Sequence, residues 1–152
     1  MRIAIIGLGK LGLPMAAVYA SKGHKVVGID TNLDLIAKLN KGECPHQETG
    51  LAKLLPQQRI SFTNHYRDIL DTSITFIIVP TPTGSLSMFE NTYLEKSLEE
   101  LQGYNGTVVI VSTVMPGSCS KFRRKYNLKI VYNPEFIALG SVIQNMLYPD
   151  SI

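Results

Sequence analysis

Gly7-Leu8-Gly9-Lys10-Leu11-Gly12 stands between a short apolar run, residues 2–6, and a segment of helical character, residues 11–21. An apolar run closed by a glycine reads as a buried strand. In the following segment Ala16, Ala17 and Ala20 are small, Pro14 falls in the first turn, and Gly23 is a natural stop. A proline there removes an N–H that the helix would leave unpaired anyway. Three glycines at this spacing, after a strand and opening a helix, are the fingerprint of a dinucleotide-binding loop. Gly7 allows the tight turn, Gly9 the close approach of backbone to a pyrophosphate, and Gly12 the close packing of helix on strand. The amino end of the helix then offers free N–H groups and a partial positive charge to phosphates.

A second predicted strand, residues 25–29, ends at Asp30, eighteen positions after Gly12. A carboxylate at that place accepts hydrogen bonds from the adenine-side ribose hydroxyls. It also repels the extra phosphate of NADP, so NAD is the expected cofactor. The plainer alternative is a set of packing glycines followed by an aspartate that caps the next helix. It accounts for each residue singly and not for the whole series.

Beyond Asp30 the chain keeps alternating. Helices are predicted over 32–40, 49–55, 91–102, 116–125 and 139–146, with a helical turn at 66–70. Strands are predicted over 60–63, 74–79, 107–112 and 128–132. Asn91 offers an N-cap and Gly103 a stop. Strands continuous in Ile and Val, separated by helices, require a parallel sheet covered on both faces. The expected architecture is a single-domain α/β fold, a Rossmann-like doubly wound parallel sheet.

The chain of 152 residues is long enough for one domain, and its 45% apolar and 18% charged residues are an ordinary globular balance. The formal charge is +3, and the densest basic stretch, Lys121-Phe122-Arg123-Arg124-Lys125, reads as a solvated helix end. Neither a nucleic-acid partner nor a membrane partner is expected. No apolar run reaches the roughly 18 residues of a membrane helix, and the amino terminus is too short and glycine-broken for a signal peptide. Cys44 and Cys119 form no Cys-x-x-Cys and no Cys/His cluster, so no metal site is expected, and two lone thiols suit a reducing cytoplasm. Cys119 falls near a helix start, where a thiol can be activated, but it reads as a plain small residue. His24, His46 and His65 lack partners in the sequence and read as packing or loop residues.

Three further stretches follow predicted strands: Val79-Pro80-Thr81-Pro82, Ser112-Thr113-Val114-Met115-Pro116-Gly117 and Asn133-Pro134-Glu135-Phe136. Each sets a hydroxyl or carboxylate beside a proline at the sheet edge where an open α/β sheet places its ligands. With GLGKLGLP, GHKVVGID and a downstream YPD, these motifs resemble the UDP-glucose/GDP-mannose dehydrogenase family across nearly the whole chain. Glu48-Thr49-Gly50-Leu51 is similar to that family's E-x-G-L segment. The resemblance implies NAD-dependent oxidation of a nucleotide sugar at its C6 alcohol, two hydrides leaving in succession to give the uronate, as polysaccharide biosynthesis uses. It implies that Gly7, Gly9, Lys10, Leu11 and Gly12 line the pyrophosphate and that Asp30 takes the ribose. It places Thr81 and Thr113 along the nicotinamide side. It makes Thr113 the residue that places a catalytic water, and Glu135 its partner near the reacting carbon. A threonine hydroxyl both donates and accepts, which suits orienting a water, and a carboxylate can serve as base.

Two positions depart from the family pattern. Leu139 stands where a second glutamate is common, and Leu35 where a basic residue is common, with Lys38 one turn on. The family's catalytic cysteine belongs to a glycine-rich motif that neither Cys44 nor Cys119 matches. The chain therefore reads as the N-terminal cofactor domain of a longer enzyme, inactive alone. The central helix and C-terminal domain that bind most of the nucleotide sugar, and through which a homodimer forms, lie elsewhere. Two other readings are a free-standing NAD-binding regulatory module and a relative of the β-hydroxy-acid dehydrogenases.

Overall fold

The computed structural model describes residues 1–57, 59–84, 89–135 and 138–149. Among them six strands form one parallel sheet: β1 (Arg2–Ile6), β2 (Lys25–Ile29), β3 (Ile60–Thr63), β4 (Ile74–Ile77), β5 (Thr107–Ile110) and β6 (Lys129–Tyr132). Their order is β3-β2-β1-β4-β5-β6. The chain winds from β1 to one edge, then returns to β4 on the other side of β1. That reversal opens a crevice beyond the carboxyl ends of β1 and β4. Ile6 is level with Ile29 on one side and Ile77 on the other, so Gly7, Asp30 and Ile78 leave the sheet together.

Period-two alternation divides each strand between two cores. Ala4, Ile6, Val27, Ile29, Ile77, Val108 and Ile110 face one side, where α4 (Thr92–Glu100) and α5 (Ser118–Tyr126) contribute Leu94, Leu98 and Phe122. Ile3, Ile5 and Val26 face the other, covered by α1 (Gly12–Ser21), α2 (Leu33–Asn40) and α3 (Leu51–Leu54). Ile143 of α6 (Val142–Leu147) joins this second core. Residues 12–18 of α1 are all buried. A helix wrapped on every side has no polar face to show, which explains its lack of helical amphipathicity.

The structure moves several predicted boundaries. β4 ends at Ile77 and not at residue 79. Ser112 Oγ accepts the Val79 N–H at 2.9 Å and donates to the Val79 carbonyl at 2.8 Å, so a side chain replaces the ladder there. Asn91 precedes α4 but makes no side-chain cap bond. Helix α5 starts at Ser118, two residues later than predicted, because Gly117 takes a left-handed φ of 83°. Gly140, at φ 91°, likewise delays α6. Phe136 and the Asp150 of the YPD stretch lie outside the described residues. In the basic stretch, Lys125 pairs with Glu95 and Arg123 Nε donates to the Ile130 carbonyl at 2.7 Å, so part of it ties α5 to its neighbours. Among the described residues no helix is long and apolar enough to cross a membrane, and no group of three acidic, histidine or cysteine side chains is placed for a metal ion.

Candidate functional site

The crevice beyond β1 is a cleft of about 490 Å³, and Gly7, Gly9, Lys10, Leu11 and Asp30 all line it. Gly12 lies beneath it. An ideal Cβ at Gly12 would fall 1.8 Å from the Gly7 carbonyl oxygen, so this glycine lets α1 approach the strand. Gly7 sits at φ 93°, and a Cβ there would meet the Ile78 carbonyl oxygen at 2.0 Å. A Cβ on Gly9 would have no neighbour within 4 Å. Its missing side chain leaves room on the cleft side for a ligand, which is the distinction between the three glycines that the motif requires.

Helix α1 starts without a side-chain cap and without an acidic residue in its first turn. By contrast α2 is capped by the Asn32 side chain, which accepts the Leu35 N–H at 3.1 Å. The N–H groups of Gly9, Lys10 and Leu11 have no acceptor among the described residues. Unpaired N–H groups at a helix start that opens on a cleft bind an anion well. Lys10 from the loop and Lys96 from α4 flank the same cleft and add positive charge.

Asp30 Oδ2 accepts the Leu8 N–H at 2.8 Å and Oδ1 accepts the Asn32 N–H at 2.9 Å. Each carboxylate oxygen offers about two lone-pair directions, so both keep capacity for a ribose hydroxyl. The capping role for the next helix belongs to Asn32 and not to Asp30. Tyr66, Tyr93 and Ser97 complete the wall. The Tyr66 hydroxyl lies 3.1 Å from Ser97 Oγ. Burial pushes the Tyr66 pKa up, the Ser97 hydrogen bond opposes it, and the charges of Glu100 and Asp30 add to the rise.

The remaining site residues are placed less tightly. Ser112 binds the β5 exit to the β4 exit through Val79, which brings the loops carrying Thr81 and Thr113 side by side. Neither threonine lines the cleft; Thr81 is half-buried and Thr113 exposed. Glu135 is exposed and lines a second pocket of about 270 Å³ with Leu11, Tyr19 and Asn145. Leu11 borders both cavities. The Tyr19 hydroxyl is raised first by burial and then by the Glu135 charge. Leu139 is 62% exposed, so its side chain is not packed into a core.

Three residues matter more than the sequence indicated. Glu48 accepts the Gly140 and Val142 N–H groups, each at 2.8 Å, and so pins the start of α6. His46 Nε2 lies 2.8 Å from the Leu8 carbonyl oxygen, which gives this histidine a partner in the glycine loop. Lys96 reaches the cleft from an α4 face that reads as solvent-facing in sequence.

The thiol at the start of α5 is not activated. Burial raises the Cys119 pKa, and the charge of Arg123 opposes this only in part. Cys119 is therefore expected to alkylate slowly at neutral pH, its rate climbing only above the ordinary thiol range of about 8.5. Peptide mapping after a timed iodoacetamide pulse across pH checks this; rapid labelling at pH 7 would contradict it.

Comparison with known proteins gives a consistent result. The profile described as "UDP-glucose/GDP-mannose dehydrogenase family, NAD binding domain" matches residues 1–152. The chain is 36% identical to the UDP-glucose 6-dehydrogenase AglM of Haloferax volcanii, over all of this chain and 40% of that protein. A crystal structure of a ternary complex of GDP-mannose dehydrogenase from Pseudomonas aeruginosa superposes with a TM-score of 0.87 at 30% identity, over 98% of this chain and 39% of that one. A UDP-D-ManNAc dehydrogenase from Pyrococcus horikoshii gives a TM-score of 0.90 at 27% identity, over 98% of this chain and 40% of that one. The chain thus spans about 40% of the length of the relatives it matches. With the glycine loop, the uncapped α1 and the Asp30 carboxylate around one cleft, the chain belongs to the UDP-glucose/GDP-mannose dehydrogenase family and is its NAD-binding domain.

Proposed function

We propose that this chain is the cofactor half of a longer NAD-dependent nucleotide-sugar 6-dehydrogenase, which oxidises the C6 alcohol of a UDP- or GDP-sugar to the uronate. Most of the nucleotide sugar, and the thiol that the family uses, belong to parts of the protein beyond this domain. The same parts would join two copies into a homodimer. Two free thiols favour a reducing cytoplasm.

The observation that carries the reading is the open space at Gly9 beside the unpaired N–H groups of Gly9, Lys10 and Leu11, which lead into α1. NAD, when bound, supplies the hydride acceptor. The residues of the chain do the holding. The α1 amino end and Lys10 balance the diphosphate charge, and Gly7 and Leu11 shape its seat. Asp30 accepts the ribose hydroxyls. On the nicotinamide side, Thr81 lines the approach and Thr113 orients a water. Glu135 takes up a proton near the reacting carbon. Support for the last three roles is their place on consecutive strand exits, at the edge where an open α/β sheet binds its ligands.

The test is turnover of the intact gene product with NAD and UDP-glucose, UDP-N-acetylated sugars or GDP-mannose. In that protein Thr113→Ala is expected to lower kcat by about 10²-fold, the usual scale for a general acid–base or water-orienting group, with little change in the KM for NAD. An unchanged kcat would make Thr113 a turn residue.

A further inference from the structure

We propose that His46 is a positioning residue for cofactor binding: from behind the glycine loop it holds the Leu8–Gly9 peptide so that the Gly9 N–H faces the cleft. The inference rests on NAD occupying that cleft. His46 Nε2 is 2.8 Å from the Leu8 carbonyl oxygen. A carbonyl oxygen only accepts, so Nε2 carries the proton and donates. On the other side of the same residue, Asp30 Oδ2 accepts the Leu8 N–H. The Leu8 side chain is fully buried and lies over Gly28 of β2, where an added Cβ would meet Leu8 Cδ2 at 2.8 Å. Both peptide groups that flank the Leu8 Cα are thus fixed by side chains.

A trans peptide is planar, with its carbonyl and N–H opposed. Turning the Leu8 carbonyl to His46 turns the Gly9 N–H away from it. Gly9 lines the cleft, and its N–H has no acceptor among the described residues. His46 is not part of the cleft lining, so it works through the loop and not by touching a ligand. Its own backbone is anchored. The His46 carbonyl accepts the Glu48 N–H at 3.2 Å and the Cys44 thiol at 3.6 Å. Glu48 in turn holds the start of α6, and Leu51 is fully buried against the α1 core. An imidazole on a segment closed by its own turn and tied both to α6 and to the core can hold a peptide still, where a free loop could not.

The test compares the 152-residue chain with His46→Leu, His46→Gln and His46→Asn. Gln carries an amide nitrogen as many bonds from the backbone as Nε2, and Asn stops one carbon short. Leu and Asn are expected to weaken NAD binding about five- to tenfold by calorimetry, and Gln to stay within about twofold of the parent, as one net hydrogen bond implies. Without ligand, the Gly9 amide resonance should shift or broaden in Leu and Asn and return in Gln, a signature that loss of general stability does not produce. If Leu does not fold, the Gln and Asn pair still decides. NAD affinity in Asn equal to the parent, or Gln as weak as Asn, overturns the assignment. If the parent chain takes up no NAD, the cleft reading fails by itself. A Gly9 resonance unmoved in Asn would then overturn the role of His46 separately.

Discussion

Gly12→Ala is expected to lower the folding stability of the chain by about 3–5 kcal/mol, near the upper end for single substitutions. The added methyl would lie 1.8 Å from the Gly7 carbonyl oxygen and 3.0 Å from its carbon. That carbonyl cannot retreat. The Gly7 N–H is bonded to the Ile29 carbonyl at 2.8 Å, and Gly7 itself is pressed against the Ile78 carbonyl. The methyl must therefore lift α1 from the sheet and loosen the core in which its Leu13 and Ala16 pack with Ile5 of β1, all fully buried. Alanine's better helix propensity returns only about 1 kcal/mol, and a clash with backbone exceeds the roughly 1–3 kcal/mol of ordinary overpacking. The control is Gly9→Ala. Its methyl meets nothing in the protein, so stability should change by no more than about 0.5 kcal/mol, while NAD affinity falls. Urea titration of both variants with NAD calorimetry of the second checks the pair. Equal loss of stability at both positions would contradict the division of labour between the glycines.

Much of the fold is visible in the sequence because it rests on short-range patterns. The strands 2–6 and 25–29 have in the structure the limits read from their apolar runs, since a strand buried on both faces is nearly continuous in apolar residues and a glycine or polar residue ends it. The half-buried edge strand 60–63 keeps its limits too, on an alternating Ile-Ser-Phe-Thr pattern. The predictions that moved depend on longer-range contacts. Residues 78 and 79 are as apolar as the strand before them. Only Ser112, brought in from the next strand, decides that Val79 bonds to a hydroxyl instead of a neighbour's backbone. Gly117 and Gly140 adopt left-handed conformations that delay their helices, and a lone glycine does not announce which sign of φ it takes.

The site divides the same way. Glycine loop and acid are local motifs, each legible on its own strand exit, and the register of β1 with β2 brings them together. His46 carries no such signal, because its partner is a main-chain carbonyl thirty-eight residues earlier and any sequence offers that carbonyl. Glu48 stood in a recognisable E-x-G-L stretch, but its target, the amino end of α6, is over ninety residues away. Tyr93 and Lys96 sit on an exposed helix face that becomes a cleft wall only when α4 docks beside the β4 exit. Thr81, Thr113 and Glu135 fall at the expected strand exits, yet the cleft does not include them.

Asp30→Asn is expected to move NAD and NADP in opposite directions. The carboxylate holds the Leu8 and Asn32 N–H groups while keeping lone pairs for the ribose. Asparagine keeps one oxygen and turns an NH₂ donor toward the other position, so one of those N–H groups loses its acceptor. Losing one charged acceptor toward the ribose should weaken NAD by about 10–100-fold, since hydrogen bonds to charged groups contribute about 1.5–3 kcal/mol. For NADP a repulsion also disappears. Two like charges about 4 Å apart near a protein surface interact by about 4 kcal/mol, less after screening by salt. NADP should therefore bind more tightly to the variant than to the parent, and the parent's preference for NAD should fall by more than tenfold. The paired titration separates ribose recognition from simple damage to the loop. If Asp30 served only to anchor Leu8, its replacement would misplace the phosphate donors alike for both cofactors, and both affinities would fall together. Parallel losses would assign Asp30 to the loop alone. Opposite shifts require the carboxylate to face the ribose, and at low salt, where the repulsion is least screened, the gap between the two cofactors should widen in the parent and hardly change in the variant.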